Sequence, residues 1–158
     1  IVKACDKCKG IGKNIEEKII ETIVERGTNN NKQHVIDGWG EQPTKNNEIP
    51  GDLIIVIQIE EHESFKRDNL DLMYVHDLSL QESIVGKHMI IPHFDGNLSI
   101  DTRGFGIINP NKQYTIYGKG MVSKAGKGNL HIRFNVIYPD GSLTEEQIKL
   151  IKAGFDLI

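Results

Sequence analysis

Most of the chain reads as short runs of alternating or continuous apolar residues, broken by Gly, Pro, Asn and Asp. The clearest run is Leu130-His131-Ile132-Arg133-Phe134-Asn135-Val136. Leu130, Ile132, Phe134 and Val136 fall on one face and the polar residues on the other, which is the period of a strand with one wet face. His131 is therefore expected to point to solvent. From Leu53 to Ile59 every position except Gln58 is apolar. Either both faces of that strand are covered, or the outer face presents an apolar strip. Helix signals are confined to two places. Ser79-Leu80-Gln81-Glu82 forms a capping box, in which hydroxyl and carboxylate satisfy each other's backbone N–H groups, and Gly86 closes the element after a short run. Thr144-Glu145-Glu146-Gln147 is a second box, followed by Ile148, Ile151 and Phe155 at helical spacing with Lys149 and Lys152 between them. The expectation is a mainly β protein with short helices, the last one C-terminal.

An internal echo adds organisation. Gly38-Trp39-Gly40 precedes Pro50-Gly51-Asp52-Leu53 and an apolar strand, and Gly118-Lys119-Gly120 precedes Gly126-Lys127-Gly128-Asn129-Leu130 and the alternating strand. The pattern predicts two duplicated β units joined near His62 to Asp71, with glycines permitting the tight turns.

Composition places the chain among globular proteins, since 38% hydrophobic and 26% charged residues over 158 positions leave enough apolar surface for a core. A net charge of −3 gives no general electrostatic reason to expect nucleic acid or an anionic membrane. No run approaches the roughly 18 apolar residues of a membrane span, and Ile1-Val2-Lys3-Ala4-Cys5 lacks the form of a signal peptide. A cytoplasmic location is the default.

The two cysteines, Cys5 and Cys8, cannot build a disulfide framework. Their C-x-x-C spacing can hold one edge of a zinc tetrahedron, with Gly10 and Gly12 letting the backbone curl towards the sulfurs. A structural zinc site needs four ligands, and the six histidines are scattered without ligand spacing. A thioredoxin-like redox pair and plain bystander thiols are the other readings, and the same glycines argue against the helix that the redox pair requires. Their position so close to the first residue suggests a fragment. Gly104-Phe105-Gly106 lacks the third glycine of a dinucleotide loop and reads as a plain turn. Glu60, Glu61 and Glu63 could contain an acid–base pair, but adjacent charges at a strand end are usually solvated. His62 is expected to cap or pack the corner between units, and Trp39 to lie in a turn. With no familiar catalytic framework present, an enzyme is not expected.

Together these residues resemble the DnaJ family of J-domain co-chaperones. Cys5-x-x-Cys8-x-Gly10-x-Gly12 resembles the last of four cysteine repeats in the class with a zinc region. Pro50-Gly51-Asp52-Leu53, His62-Glu63-Ser64-Phe65-Lys66-Arg67 and Asp71-Leu72 resemble the close of the first β domain. Leu78 to Glu82, Gly86 and Asp95-Gly96 resemble the opening of the second, and Gly118-Lys119-Gly120 with Gly128-Asn129-Leu130 its closing turns. Three positions depart from the family: Asn31 replaces a usual glycine, Trp39 a charged residue and Asn129 an aspartate.

The resemblance implies two consecutive β-sandwich-like domains. Residues 1–14 would end the cysteine-rich zinc region, 15–71 would form an incomplete first β domain that binds clients, and 72–158 a second domain with the terminal helix. It further implies that unfolded client polypeptide adds a strand beside an apolar pocket lined by Ile20 and Ile55, for delivery to an Hsp70-type chaperone. The J domain that contacts that chaperone has no counterpart here. Zinc would be held in the full-length protein by Cys5 and Cys8 with partners outside this chain, leaving this fragment without it. The full-length protein would be a homodimer and this chain a monomer. The alternative is a zinc-ribbon-like nucleic-acid or adaptor module, prompted by Lys3, Lys7, Lys9 and Lys13 around the cysteines.

Overall fold

The computed structural model describes residues 16–157 apart from 44 and 46. Cys5 and Cys8 lie outside the described residues. The elements in chain order are β1 (Lys32–Ile36), β2 (Leu53–Ile57), β3 (Phe65–Asp68), β4 (Asp71–Ser79), α1 (Leu80–Val85), β5 (His88–Ile91), β6 (Leu98–Asp101), a 3-10 turn (Thr102–Phe105), β7 (Gln113–Ile116), β8 (Val122–Ser123), β9 (Gly126–Lys127), β10 (Leu130–Ile137) and α2 (Glu145–Phe155). The protein is mainly β, with short helices and one at the C-terminal end, as the pattern predicts. Among the described residues no helix is long and apolar enough to cross a membrane.

The largest sheet runs β3-β4-β10-β7. β4 and β10 lie parallel with Leu72 opposite Leu130, while β3 and β7 flank them antiparallel. β3, which the sequence boundary at residue 71 assigns to the first unit, thus belongs to the sheet of the second. The alternation read in β10 decides its two faces. Leu130, Ile132 and Phe134 are buried and join Phe65, Leu72, Leu78, Met89, Ile91, Ile100, Ile108 and Tyr114 in one core. β5 and β6 form a hairpin whose inward residues, Met89, Ile91 and Ile100, supply part of that core.

Both capping boxes form. The Ser79 hydroxyl accepts from Glu82 N while Glu82 accepts from Ser79 N, and Gly86 ends α1 with φ 83°. Thr144 and Gln147 repeat the arrangement at α2, which buries no residue. Buried Thr102 ties the 3-10 turn to the residue that leads into β5, its hydroxyl accepting from Lys87 N at 2.7 Å and donating to Lys87 O at 3.2 Å. Gly104 and Gly106 lie at this turn, as expected.

His131 departs from its expected orientation. It lies on the outer face of β10, but its Nδ1 is 2.9 Å from the Thr115 hydroxyl and its Nε2 3.2 Å from Asp71, so the ring bridges three strands and its side chain is only 18% exposed. Alternation fixes the face, while the carboxylate that draws the ring inward comes from a strand distant in sequence. His62 caps the corner: its Nδ1 accepts from Ser64 N and Phe65 N, and its ring packs on Phe65 and Phe94.

Candidate functional site

β1 and β2 form an antiparallel two-stranded sheet with Ile36 opposite Leu53 and Lys32 opposite Ile57. None of their residues joins the core. Asn31, at φ 60°, turns the chain into β1 and donates its N–H to Ile57 O at 2.8 Å. Asparagine tolerates this left-handed conformation better than most non-glycine residues, so the glycine expected from the resemblance is replaced without loss of the turn. Asn30 Oδ1 accepts from Ile59 N at 2.9 Å and fixes the other end of the pair.

The apolar run of β2 resolves into two faces. Ile54, Val56 and neighbouring Val35 are 54%, 45% and 53% exposed, so the outer face presents an apolar strip. Leu53, Ile55 and Ile57 are half-buried on the other face, with His34 and Ile36 of β1 beside them. Ile20 is also half-buried, within a stretch where Ile19, Ile23 and Val24 are exposed. Neither Ile20 nor Ile55 is a core residue. Trp39 lies in the turn after β1, partly exposed, with the Lys18 ammonium 5.4 Å from its ring centre.

The hairpin meets the second unit through Arg67. Its guanidinium donates to Thr28 O and Gly27 O, both at 2.9 Å, and to Asn69 O at 2.6 Å. Beside this joint a cavity of about 170 Å³ is walled by Phe94, Met121 and Val122, with Arg26, His93 and Asp95 at its polar side. A wider cleft lies between Glu25–Lys32 and Ser123–Ala125, spanned by the Lys124–Glu25 ion pair. Neither cavity is lined by Ile20 or Ile55.

Titratable groups add structure to the second unit more than chemistry. Asp71 accepts from Asn129 N at 2.6 Å, and this bond, with that of His131, holds its carboxyl below the usual carboxylate range. The Arg103 guanidinium depresses Asp101 to about 2. Burial, aided by Lys87, lowers the His76 imidazole, whose Nε2 is buried without a hydrogen-bond partner. Glu60, Glu61 and Glu63 are exposed. Among the described residues no group of three or more His, Cys, Asp or Glu could hold a metal ion.

Sequence reasoning missed the Asp71–His131–Thr115 bridge and the Phe94-lined cavity, because both depend on strand pairing that no local pattern records. It did find the two repeated turns, which share one hydrogen-bond scheme. Gly38 N donates to Asp52 Oδ1 at 2.9 Å, and Gly118 N to Asn129 Oδ1 at 3.0 Å. Gly40 N donates to Gly51 O at 2.7 Å, and Gly120 N to Gly128 O at 2.8 Å. An amide oxygen at Asn129 thus does what the carboxylate does at Asp52.

Comparison with known proteins bears on the whole arrangement. The family model described as the DnaJ C terminal domain matches residues 2–139. The chain is 32% identical over 153 residues to DnaJ protein homolog ANJ1 of Atriplex nummularia, covering 94% of this chain and 36% of that protein. It is 31% identical over 170 aligned positions to Chaperone protein dnaJ 3 of Arabidopsis thaliana, covering 95% and 40% respectively. It is 34% identical over 135 residues to Mitochondrial protein import protein MAS5 of Saccharomyces cerevisiae, covering 84% and 32%. The chain therefore spans 32–40% of the length of these relatives. With duplicated turns, mainly β fold and a family match over most of its length, this chain belongs to the DnaJ C-terminal domain family.

Proposed function

We propose that this chain is the client-holding part of a DnaJ-type co-chaperone, binding unfolded polypeptide by strand addition and delivering it, in the whole protein, to an Hsp70-type chaperone. The observation that carries the reading is the β1–β2 sheet. Among the described residues it is two strands wide, belongs to no core, and exposes Val35, Ile54 and Val56. Open backbone groups give affinity without regard to sequence, and the apolar residues select an apolar side chain. Ile20 and Ile55 are the residues assigned to a side-chain pocket, Ile55 lying on the half-buried face of β2 with Leu53 and Ile57, opposite to the exposed strip. Fully burying one leucine-like side chain is worth about 1.5–3 kcal/mol, whereas micromolar affinity needs about 8, so backbone pairing supplies much of the rest and binding is weak and tolerant.

In this reading the protein is a binding module and not an enzyme, works in the cytoplasm, and contacts no nucleic acid or membrane. Cys5 and Cys8 supply half of a zinc site whose other ligands come from elsewhere in the longer protein. A tetrahedral thiolate site would lend that region structural stability when filled. This chain alone is a monomer, and the full-length protein a homodimer.

The test is suppression of aggregation of a chemically unfolded protein, followed by light scattering, beside a titration with single-stranded DNA at two salt concentrations. The reading expects suppression and no DNA binding. DNA binding that weakens steeply with salt, without suppression, would replace it with a nucleic-acid module.

A further inference from the structure

The segment before β1 and two loops of the second unit enclose the cavity beside the Arg67 joint. Its apolar part is Phe94, Met121 and Val122. Phe94 is 55% exposed although His62, Phe65 and His93 lie against its ring, at centroid distances of 5.2, 5.4 and 5.8 Å. Met121 packs against the core as well as facing the cavity. A volume of about 170 Å³ is room for one ring, since an apolar cavity of about 150 Å³ admits benzene.

Backbone bonds hold the walls in place. Met121 N donates to Leu70 O at 2.7 Å, and Gly120 N to Gly128 O at 2.8 Å. His93 Nδ1 accepts from Asp95 N at 3.2 Å, which leaves Nε2 to donate to Lys119 O at 2.8 Å. The loop that carries Phe94 and Asp95 is thereby pinned beside Gly120. Arg26 is fixed by its neighbours, because Glu25 pairs with Lys124 and Gly27 O accepts from Arg67. A site held this way gives up little freedom when it is filled.

The mouth carries two charges of opposite sign. The Arg26 guanidinium and the Asp95 carboxylate are exposed, and neither makes an ion pair or a side-chain hydrogen bond with a described residue. An internal residue of a polypeptide would bring an apolar side chain to the cavity but no charge to either group. A free α-amino acid brings all three: a carboxylate for Arg26, an ammonium for Asp95 and an apolar body for the floor.

We infer that this cavity binds a free amino acid with an aromatic side chain. The ring lies against Phe94, Met121 and Val122, the carboxylate accepts from Arg26 and the ammonium donates to Asp95. Ring contact with Phe94 and sulfur contact with Met121 favour an aromatic body over an aliphatic one. Bound there, the ligand ties the segment before β1 to the second unit. The role is separate from the proposed client binding, since neither Ile20 nor Ile55 lines the cavity.

The experiment uses the 158-residue protein with isotopically labelled methyl groups, and L-phenylalanine as the probe. Nuclear magnetic resonance should show saturable shifts at Met121 and Val122, with a Kd of about 1 mM for so small a ligand. Arg26→Gln and Asp95→Asn each remove one charge-assisted bond and should weaken binding about tenfold. Both residues are exposed, so both variants should fold. 3-Phenylpropionate keeps the ring and the carboxylate, and should bind about tenfold more weakly than phenylalanine in a manner that Arg26→Gln abolishes. N-acetylphenylalanine amide, with the ring and neither charge, should give no saturable shift over the same concentrations. Hydrogen exchange at the Thr28 amide should slow when phenylalanine is present. Absence of shifts at Met121 and Val122, equal binding of the uncharged amide, or parental affinity in both charge variants would overturn the inference. Unchanged Thr28 exchange with the cavity filled would overturn the tie between the two segments.

Discussion

Gly51 and Gly128 occupy equivalent places in the two turns, and one substitution should have different consequences at each. Gly128 is buried, and an added Cβ would collide with the Leu70 carbonyl and approach Asp71 N. These are backbone atoms held by the bonds from Met121 N and from Leu72 N, so they cannot swing aside as a side chain would. Gly128→Ala must displace the β3–β4 connection or the turn before β10, an overpacking cost of about 1–3 kcal/mol. At Gly51 the nearest atoms to an added Cβ are Glu41 N at 3.5 Å and Glu41 O at 3.7 Å, ordinary van der Waals separations. Gly51→Ala should stay within about 0.5 kcal/mol of the parent, helped by the smaller freedom of alanine in the unfolded chain. For a domain of this size a loss of about 2 kcal/mol lowers Tm by roughly 4–8 °C. Urea midpoints by far-ultraviolet circular dichroism, with hydrogen exchange read at Leu130 to Phe134, measure both. Equal midpoints for the two variants would refute the equivalence of the turns and the open side assigned to Gly51.

Asp71→Asn should flatten the acid limb of stability. A depressed folded pKa contributes stability present above the unfolded value, about 3.9, and lost as pH falls through the folded one; an unchanged acid limb in the variant would contradict the Asn129 and His131 bonds. The half-buried His76, whose Nε2 has no hydrogen-bond partner, acts in another window. Its folded pKa is lowered, so its share of stability is intact above about pH 6.5 and declines below it, as the unfolded chain takes up a proton that the folded chain resists. Urea midpoints at pH 7.5 and 5.5 should therefore lie closer together in His76→Leu than in the parent. Ser79→Ala removes the acceptor of Glu82 N and should cost about 1 kcal/mol, with Ser79→Thr retaining most of it in chemical denaturation.

Local chemistry wrote much of this fold into the sequence. The β10 alternation and the two capping boxes depend on residues within a few positions of one another, the paired glycine turns on groups up to 14 positions apart, and each forms as read. The sequence marks Asn129 only as a departure from a usual aspartate, and its role follows from the bond it accepts from Gly118 N. Parallel pairing of β4 with β10 was not legible, because no short turn joins them and both strands have similar apolar phase. His131 was misplaced for that reason, being drawn in by Asp71 of β4, while β3, within the join read at His62 to Asp71, pairs with β4. At the candidate site the sequence left the two faces of Leu53–Ile57 undecided. Only the absence of a covering layer among the described residues shows Ile54 and Val56 to be exposed. Ile20 and Ile55 came from family resemblance, and no local pattern separates them from their apolar neighbours.

Ile55→Asp tests the central claim most directly. Ile55 is half-buried and outside the core, so an aspartate there should leave the thermal midpoint within a degree or two of the parent. The same carboxylate, set among Leu53, Ile57 and Ile36, should abolish binding of a fluorescent extended peptide carrying a single leucine, because the charge would have to be desolvated as the peptide docks. Loss of peptide binding by a folded Ile55→Asp protein, in fluorescence anisotropy with the parent measured alongside, is the predicted result. A folded variant with undiminished binding would contradict the account.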